Sequence, residues 1–441
     1  MALRIFSTSH INIPNKKNYL CLVRGVVSAL HIPGHLSKAA VTILTPDLSN
    51  IDRLITDDLV QLQKNLSARN SSFHLDSFIQ QWNHMVELRL QREDLETRRI
   101  VVTQMMKQVA SSTADTTLPN KIEEIKQEGI KLRTQLKELT KVWWDIEETA
   151  VTRALSLPNS LHSGTPIEES RELYSFIPPN SEHCPEDSTK QDIKFVSHSP
   201  TAFYMRGLSA RLELNWMRTF SNDWISKGYN LISPPDFVRS LIVDGCGLDF
   251  NNPQKVLSLA TIQEHGSLEK GNGFHLVGGS SLPAMVAFLT KHAIQEPFPL
   301  RLASAGRTYH PPTESLTNHE DLSNTSQASS IHLLTVMKNC PDAMFQELVR
   351  VQKTISTQLQ KLNMNFRIIA VPARQLEPWE QYRSSIELFS SSSKKFIQVA
   401  NVSIIGDYIS RRLSIYGPDK DWPGFVTSQA LAVPKLLYCY L

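Results

Sequence analysis

Apolar residues recur every seven positions along residues 54–155, a stretch that contains a single glycine. In its second half, one stripe consists of Ile125, Leu132, Leu139 and Ile146, and a neighbouring stripe of Gly129, Leu136, Trp143 and Ala150. Recurrence at this interval keeps apolar side chains on one side of a helix and is typical of a coiled-coil seam. In the first half, the predicted seam residues are Leu88, Leu95, Val101, Met105 and Val109.

A polar turn separates the two halves of this stretch. Residues 111–120 read SSTADTTLPN, and polar segments that end in proline are typical of turns. Two long helices joined by a short turn pack antiparallel. The sequence therefore predicts a protruding helical hairpin, which we call the arm, within a domain at residues 41–167.

The pattern changes beyond the arm to short apolar runs between helical segments. Residues 211–224 predict an amphipathic helix, and strands are predicted at residues 229–233, 300–303, 366–370 and 395–399. Residues 168–194 are rich in proline and polar residues, which indicates a linker. We therefore expect an α+β domain at residues 195–441, with helices packed on an antiparallel sheet.

The first 46 residues contain basic residues and several serines but no acid. This composition is typical of a mitochondrial transit peptide, which we place at residues 1–40; an ordinary disordered terminus is the alternative. The rest of the chain is slightly acidic, although the whole has a net charge of +3. Nucleic acid could therefore be bound only through a local basic surface.

Composition excludes several other classes of protein. With 41% hydrophobic and 20% charged residues, the chain resembles ordinary soluble proteins. It contains no uninterrupted apolar run of about 18 residues, so we expect no membrane span. The five cysteines are scattered and lack the spacing of a zinc site, which predicts a reducing compartment and no structural metal.

Basic residues concentrate toward the predicted tip of the arm. They are Arg89, Arg92, Arg98, Arg99, Lys107, Lys121 and Lys126. Acidic residues are interleaved with them, and such mixed charge is typical of a solvated, salt-bridged helix surface, which the pattern alone favours. Contact with RNA phosphates is the other interpretation.

Short motifs in a fixed order favour the RNA interpretation. Asn65-Leu66 with Arg69, and later Leu157-Pro158-Asn159, resemble the N-terminal domain of seryl-tRNA synthetases. Residues 207–213, 228–235, 301–307 and 407–412 resemble, in the same order, the class II synthetase domain. The resemblance implies a class II synthetase-like antiparallel sheet, an arm that grips the variable arm of serine tRNA, and a dimer interface at residues 228–238.

The same resemblance implies that the adenylate-forming site has lost most of its charged groups. Arg307, which meets the α-phosphate in that family, and Glu387 are retained. Other residues stand where the family has the acids and the arginine that bind serine, ATP or metal: Ser281, Tyr309, His332, Ser385, Gln398 and Lys435. Because Mg²⁺ prefers carboxylate oxygens, we expect no ATP binding, no aminoacylation and no cofactor.

This combination is similar to a group of non-catalytic seryl-tRNA synthetase paralogues of insect mitochondria. The similarity implies a protein of the mitochondrial matrix that binds serine tRNA and pairs with the mitochondrial seryl-tRNA synthetase or with itself. Two alternatives stay open. One is a divergent active ligase whose pocket is formed by Ser280, Ser281 and His332, and the other is a scaffold that binds only protein.

Overall fold

The computed structural model describes residues 28–30, 44–111, 118–179, 192–196, 199–259, 273–311 and 322–440. For residues 110–111 and 118–121 only the backbone is described, so the side chain of Lys121 lies outside the description. The predicted transit peptide also lies outside the described residues, except for residues 28–30.

The helices and strands are named in chain order. The helices are α1 Asn50–Thr56, α2 Leu59–Ala68, α3 Leu75–Ser111, α4 Leu118–Leu155, α5 Gly207–Ser226, α6 Ser240–Gly245, α7 Leu282–Ala287, α8 Pro341–Lys361, α9 Tyr408–Leu413 and α10 Val433–Tyr440. The strands are β1 Arg171–Phe176, β2 Ile193–Val196, β3 Ser199–Met205, β4 Asn230–Ile232, β5 Phe237–Arg239, β6 Leu257–Ser258, β7 Phe274–Leu276, β8 Leu300–Tyr309, β9 Gln327–Met337, β10 Phe366–Ala370, β11 Tyr382–Ser390, β12 Lys395–Gly406 and β13 Gly424–Ala432.

The predicted hairpin is confirmed, with α3 and α4 packed along each other. Arg153 near the base of α4 donates a 2.7 Å hydrogen bond to Gln81, while the Gly129 position faces Val102 farther out. Later residues of one helix therefore meet earlier residues of the other, which makes the pair antiparallel. Leu132, Leu136 and Ala150 of the predicted stripes are buried against α3.

The seam on α3 differs from the prediction at two positions. Val101 and Met105 are exposed, whereas Val102 is buried and Met106 is half-buried. Leu88 starts an uninterrupted seven-residue series that passes through position 102, and a residue one position away points about 100° around the helix. The prediction that Val101 and Met105 lie in the seam is therefore wrong. The seam keeps the seven-residue interval and passes through Val102 instead.

An eight-stranded sheet forms the second half of the protein. Its strand order is β1-β10-β11-β12-β13-β9-β8-β4, and every pair is antiparallel except β4 with β8. The predicted α+β class is confirmed. Ile404 and Ile405, consecutive in β12, belong to two different apolar cores, as expected for side chains on opposite faces of a strand.

The predicted linker is wrong over part of its length. Arg171–Phe176 forms β1, which pairs with β10 at one edge of the main sheet, and Ile193–Val196 forms β2. The burial pattern explains the error, since five of the six β1 residues are exposed and no apolar run marks the strand. The predicted start of the sheet domain at residue 195 therefore separates β1 from its sheet.

A polar junction fixes the arm to the sheet domain. Arg69 donates a 2.9 Å hydrogen bond to Asn65 and further bonds to the backbone carbonyls of Asn159, Glu377 and Glu380. Asn159 in turn donates to the carbonyls of Trp379 and Ile405 at 2.8 and 2.6 Å. The motif residues that suggested the arm domain thus hold its base against the sheet.

Candidate functional site

Arg307, the retained arginine of the predicted site, makes an ion pair within the protein. It lies on β8, and its Nη1 is 3.2 Å from a carboxylate oxygen of Glu213 on α5. The Ser329 hydroxyl donates to the same oxygen. The Glu213 side chain is only 12% exposed, so its charge requires a partner. Arg307 therefore neutralises an internal carboxylate in this structure.

The segment at residues 279–281 is tightly packed on β8. Gly278 has a φ of +87°, and a Cβ there would lie 2.1 Å from the Arg307 carbonyl oxygen. Ser280 is fully buried and donates to the carbonyls of Ser304 and Ser330 at 3.1 and 2.8 Å. These contacts satisfy the Ser280 hydroxyl internally.

Ser281 begins α7 as its N-cap residue. Its hydroxyl donates a 2.7 Å hydrogen bond to the Gly278 carbonyl and accepts one from the Ala284 amide at 3.4 Å. Capping serine satisfies an orphan amide of the first helical turn. The side chain at this predicted substrate position is therefore occupied with local structure.

His332 lies on β9, between β8 and β13, and its Nε2 is 2.8 Å from the Thr427 hydroxyl. Burial lowers the pKa of His332 to about 4. The imidazole is therefore neutral at neutral pH. It supplies no negative charge where the resemblance implies a glutamate.

Ser385, Glu387 and Gln398 lie together on β11 and β12. The Ser385 hydroxyl donates to Gln398 at 3.1 Å and lies 3.5 Å from Glu387. Two nitrogens of Arg367 on β10 reach the same Glu387 oxygen at 2.8 Å, and the guanidinium also stacks on Phe396. The remaining carboxylate of this group is therefore neutralised by a neighbouring strand.

Tyr309 and Lys435 occupy the remaining predicted positions. Tyr309 ends β8, where its amide donates to the Val277 carbonyl at 3.2 Å. Lys435 lies on α10, and burial lowers the pKa of its ammonium while Cys439 opposes that shift. A lysine also lacks the planar fork with which arginine binds phosphate.

Two important residues of this region were missed by sequence reasoning. In the sequence, Glu213 stands only at the end of the motif at residues 207–213. Arg367 lies within the predicted strand at residues 366–370 and matches no motif. They lie 94 and 20 positions from their partners. No local pattern identifies ion pairs across such separations. An acidic residue on an otherwise amphipathic helix, as at Glu213, is the one signal that could have indicated an internal ion pair.

The arrangement offers little to a nucleotide or a metal ion. Both retained charged groups, Arg307 and Glu387, contact opposite charges of the protein itself. Across the described ranges, no group of three or more His, Cys, Asp and Glu residues is placed to hold a metal ion.

The arm presents several of its basic residues to solvent. Arg99 and Lys107 are exposed, and among the described residues neither forms an ion pair. Arg98 and Lys126 are also exposed but pair with Asp94 at 2.9 Å and Glu123 at 3.7 Å. Lys107 and Lys126 both line a groove of about 330 Å³ near the distal part of the arm.

Arg89 and Arg92 lie closer to the seam than the other arm cations. Both are half-buried, and the Arg92 guanidinium stacks on Trp143 of the facing helix at 4.1 Å. Arg92 also lies 3.8 Å from Glu96. This cation therefore contributes to hairpin packing.

Exposed apolar side chains occur within the predicted dimer interface at residues 228–238. Strand β4 is an edge strand, and among the described residues its backbone pairs with β8 on one side only. Leu231 on β4 and Phe237 on β5 are exposed, as is Ile225 in the helix that precedes β4 along the chain. Exposed apolar patches of this kind are typical of interaction surfaces.

Comparison with solved structures defines the class of fold. The cytoplasmic serine–tRNA ligase of Naegleria fowleri, solved with AMP, matches with a TM-score of 0.70 at 10% identity, covering 86% of this chain and 90% of that one. The Pyrococcus horikoshii seryl-tRNA synthetase, solved with ATP, matches with a TM-score of 0.69 at 15% identity, covering 88% and 92%. The chain has the seryl-tRNA synthetase fold.

Sequence comparison identifies the type of relative. The chain is 24% identical over 396 residues to the serine–tRNA synthetase-like protein Slimp of Drosophila melanogaster, covering 88% of this chain and 82% of Slimp. It is 23% identical over 394 residues to the mitochondrial serine–tRNA ligase of Bos taurus, covering 83% and 73%. No family model matches the chain. The protein is seryl-tRNA synthetase-like in both sequence and fold.

Within the described ranges, none of the helices is both long enough and apolar enough to cross a membrane.

Proposed function

We propose that this protein binds serine tRNA through the outer surface of its arm and neither binds ATP nor aminoacylates tRNA. It acts in the mitochondrial matrix, where it pairs with the mitochondrial seryl-tRNA synthetase or with itself. The relatives support the tRNA and the mitochondrial parts of this proposal, because they include mitochondrial serine–tRNA ligases.

One observation supports the loss of catalysis above all others. The arginine that would meet the nucleotide is paired with Glu213, and the carboxylate that would remain near a metal ion is paired with Arg367. Binding ATP would require Arg307 to leave a nearly buried carboxylate without its partner. That exchange is unfavourable because the Glu213 carboxylate would lose the cation that neutralises it.

Magnesium does not fit this group of side chains. Gln398 offers an amide, Ser385 a hydroxyl and His332 a neutral imidazole, whereas Mg²⁺ prefers charged oxygen ligands in octahedral geometry. Removal of one charge-stabilising group commonly slows an enzyme by about 10²–10³-fold, so the combined losses favour a protein without this activity.

A divergent ligase has less support than a pseudoenzyme. The pocket proposed for it would use the polar atoms of Ser280, Ser281 and His332. Those atoms already contact carbonyls, an amide and a hydroxyl of the protein. A substrate would need to displace bonds that stabilise β8, β9 and the start of α7.

The arm supports RNA binding because its free cations are exposed. Lys and Arg bind phosphate without requiring a catalytic site, so this contact is independent of the changes on the sheet. Arg99 and Lys107 are the strongest candidates, followed by the exposed ion-paired Arg98 and Lys126. We place Lys121 with them on sequence alone.

The double variant Arg99→Glu with Lys107→Glu tests RNA binding directly. Two phosphate contacts are lost, so affinity for serine tRNA should fall by at least about tenfold, and the slope of log K against log salt should decrease by about 2. Fluorescence anisotropy with labelled serine tRNA over a salt series measures both quantities.

The matched control carries the same charge change on the sheet domain. Lys353 and Lys361 are exposed on α8, so Lys353→Glu with Lys361→Glu should leave affinity nearly unchanged. Equal losses in the two double variants would indicate a general electrostatic effect. Unchanged binding in the arm variant would support the scaffold that binds only protein.

The edge strand β4 and the exposed side chains of Leu231 and Phe237 support pairing with a second subunit. Edge strands and apolar patches are otherwise aggregation hazards that folded proteins usually cover. Leu231→Asp should abolish the pairing, whereas Leu173→Asp on the opposite edge strand, β1, should not. Light scattering after size exclusion, with and without the mitochondrial synthetase, separates a homodimer, a heterodimer and a monomer.

A further inference from the structure

Residues 28–30 are docked on the sheet domain, far along the chain from their contacts. The Ser28 hydroxyl and the amides of Ala29 and Leu30 all donate to one oxygen of Asp244, at 2.6, 2.7 and 3.2 Å. The Leu30 side chain is 1% exposed and belongs to the apolar core around the arm base and α6. This short segment therefore adds both a polar and an apolar contact.

Asp244 is a partly buried carboxylate that accepts the hydrogen bonds of this segment. It lies within α6, and burial raises the pKa of its carboxyl while the hydrogen bonds from residues 28–30 oppose that shift. Within the part of the chain that the structure describes, those three donors are its hydrogen-bond partners. Three donors converging on one oxygen favour the ionised carboxylate.

A second contact fixes the chain after residue 43. The Asp47 carboxylate pairs with Arg411 on α9, and the Asp47 amide donates to the Arg411 carbonyl at 2.9 Å. The Ser414 hydroxyl donates to the Thr45 carbonyl at 3.3 Å. Because Arg412 of the same helix interacts electrostatically with Asp244, both contacts converge on the region of α6 and α9.

We infer that residues 28–30 are a permanent anchor of the folded protein, and that removal of the import segment stops N-terminal to Ser28. A cleavage at residue 40, the end of the predicted transit peptide, would leave Asp244 without its donors and open a cavity at Leu30. Both changes are among the recognised causes of large destabilisation. The processing part of the inference rests on the proposed mitochondrial location, whereas the anchor does not.

A double-mutant cycle in the full-length chain tests the anchor. Asp244→Ala and Ser28→Ala each remove one side of the same hydrogen bond, so each should lower the melting temperature by about 1–3 °C. The double variant should fall less than the sum of the two single variants. Leu30→Ala should add its own decrease of about 3–6 °C.

Ser7→Ala with Ser9→Ala is the matched control, since it changes serines that precede the anchor and should leave the melting temperature unchanged. Strictly additive effects of Ser28→Ala and Asp244→Ala, or no effect of Leu30→Ala, would overturn the anchor.

Import into isolated mitochondria, followed by mass spectrometry of the N-terminus, tests the processing part. The expected mature chain begins at or before residue 28. A mature chain that begins at residue 29 or later overturns the inference, even if import succeeds. Absence of import contradicts the proposed location instead, and the double-mutant cycle then decides the anchor alone.

Discussion

The arm and the positions of the predicted adenylate site on the sheet contain the same kinds of charged side chain in two different environments. On the arm, Arg99 and Lys107 face solvent, and no described acid pairs with them. On the sheet, Arg307 lies 3.2 Å from the Glu213 carboxylate, and Glu387 lies 2.8 Å from the Arg367 guanidinium. A cation that is already neutralised attracts phosphate weakly, whereas a solvated free cation is available for it.

Under the proposed function, this difference explains why tRNA binding does not depend on the adenylate-forming site of the same fold. Phosphate contacts on a helical surface require only position and charge. Adenylate formation requires several charged groups that are both aligned and free to act on the substrate. At the predicted adenylate site, Arg307 and Glu387 form ion pairs within the sheet domain, whereas Arg99 and Lys107 on the arm form none with described residues.

The largest expected effect concerns the junction between the two regions. Arg69→Ala removes hydrogen bonds to Asn65 and to three backbone carbonyls, so we expect a loss of about 3 kcal/mol in the free energy of unfolding. Urea unfolding measures this change. Lys64→Ala, an exposed substitution on the same helix, should change stability by less than about 0.5 kcal/mol. Comparable stability of the two variants would mean that the junction does not fix the arm.

The next effect separates a structural arginine from a catalytic one. Among the described residues, Arg307→Met leaves Glu213 with Ser329 as its one partner. Stability should therefore fall by about 1–2 kcal/mol, the partial exposure of Arg307 moderating the loss. Affinity for serine tRNA should stay the same. Adding Glu213→Gln should recover much of the lost stability, because the unpaired carboxylate is then removed. A variant that is fully stable but loses nucleotide binding would reverse our interpretation of Arg307.

A smaller effect depends on pH. The pKa of His332, about 4 in the folded protein, lies below its ordinary value of 6.5. The unfolded chain therefore binds this proton more tightly, and stability is lost as pH falls through 6.5 toward 4. His332→Gln should remove about 1–2 kcal/mol of that acid sensitivity. Urea unfolding near pH 7 and near pH 5 measures it, with exposed His292→Gln as the control. Equal acid sensitivity in the parent and the His332 variant would contradict the assignment.

The sequence predicted the arm well because its signal is long and regular. The seven-residue interval located both helices, and only the choice of Val101 and Met105 over positions 102 and 106 failed. Strands gave weaker signals. The predicted strand at residues 300–303 extends to Tyr309, and β9 was missed because its sequence, QASSIHLLTVM, mixes serines with apolar residues that are buried on both faces.

For the predicted adenylate site, the sequence identified which residues occupy the motif positions but not what their side chains contact. The motif order placed Ser281, His332, Ser385 and Gln398, and the structure brings Ser385, Glu387 and Gln398 together on two paired strands. What the side chains do could not be predicted, because it depends on partners from distant segments. Glu213, Arg367 and Thr427 are the residues that give Arg307, Glu387 and His332 their internal roles.

The most direct test of this account is serine-dependent ATP–pyrophosphate exchange by the purified full-length chain with magnesium present. The mitochondrial seryl-tRNA synthetase, assayed in parallel, provides the positive control. We expect exchange at the level of a reaction without protein, from a preparation that still binds serine tRNA with salt-dependent affinity. Exchange clearly above that level would show that the internal ion pairs of Arg307 and Glu387 open for substrate, and the proposed loss of catalysis would then be wrong.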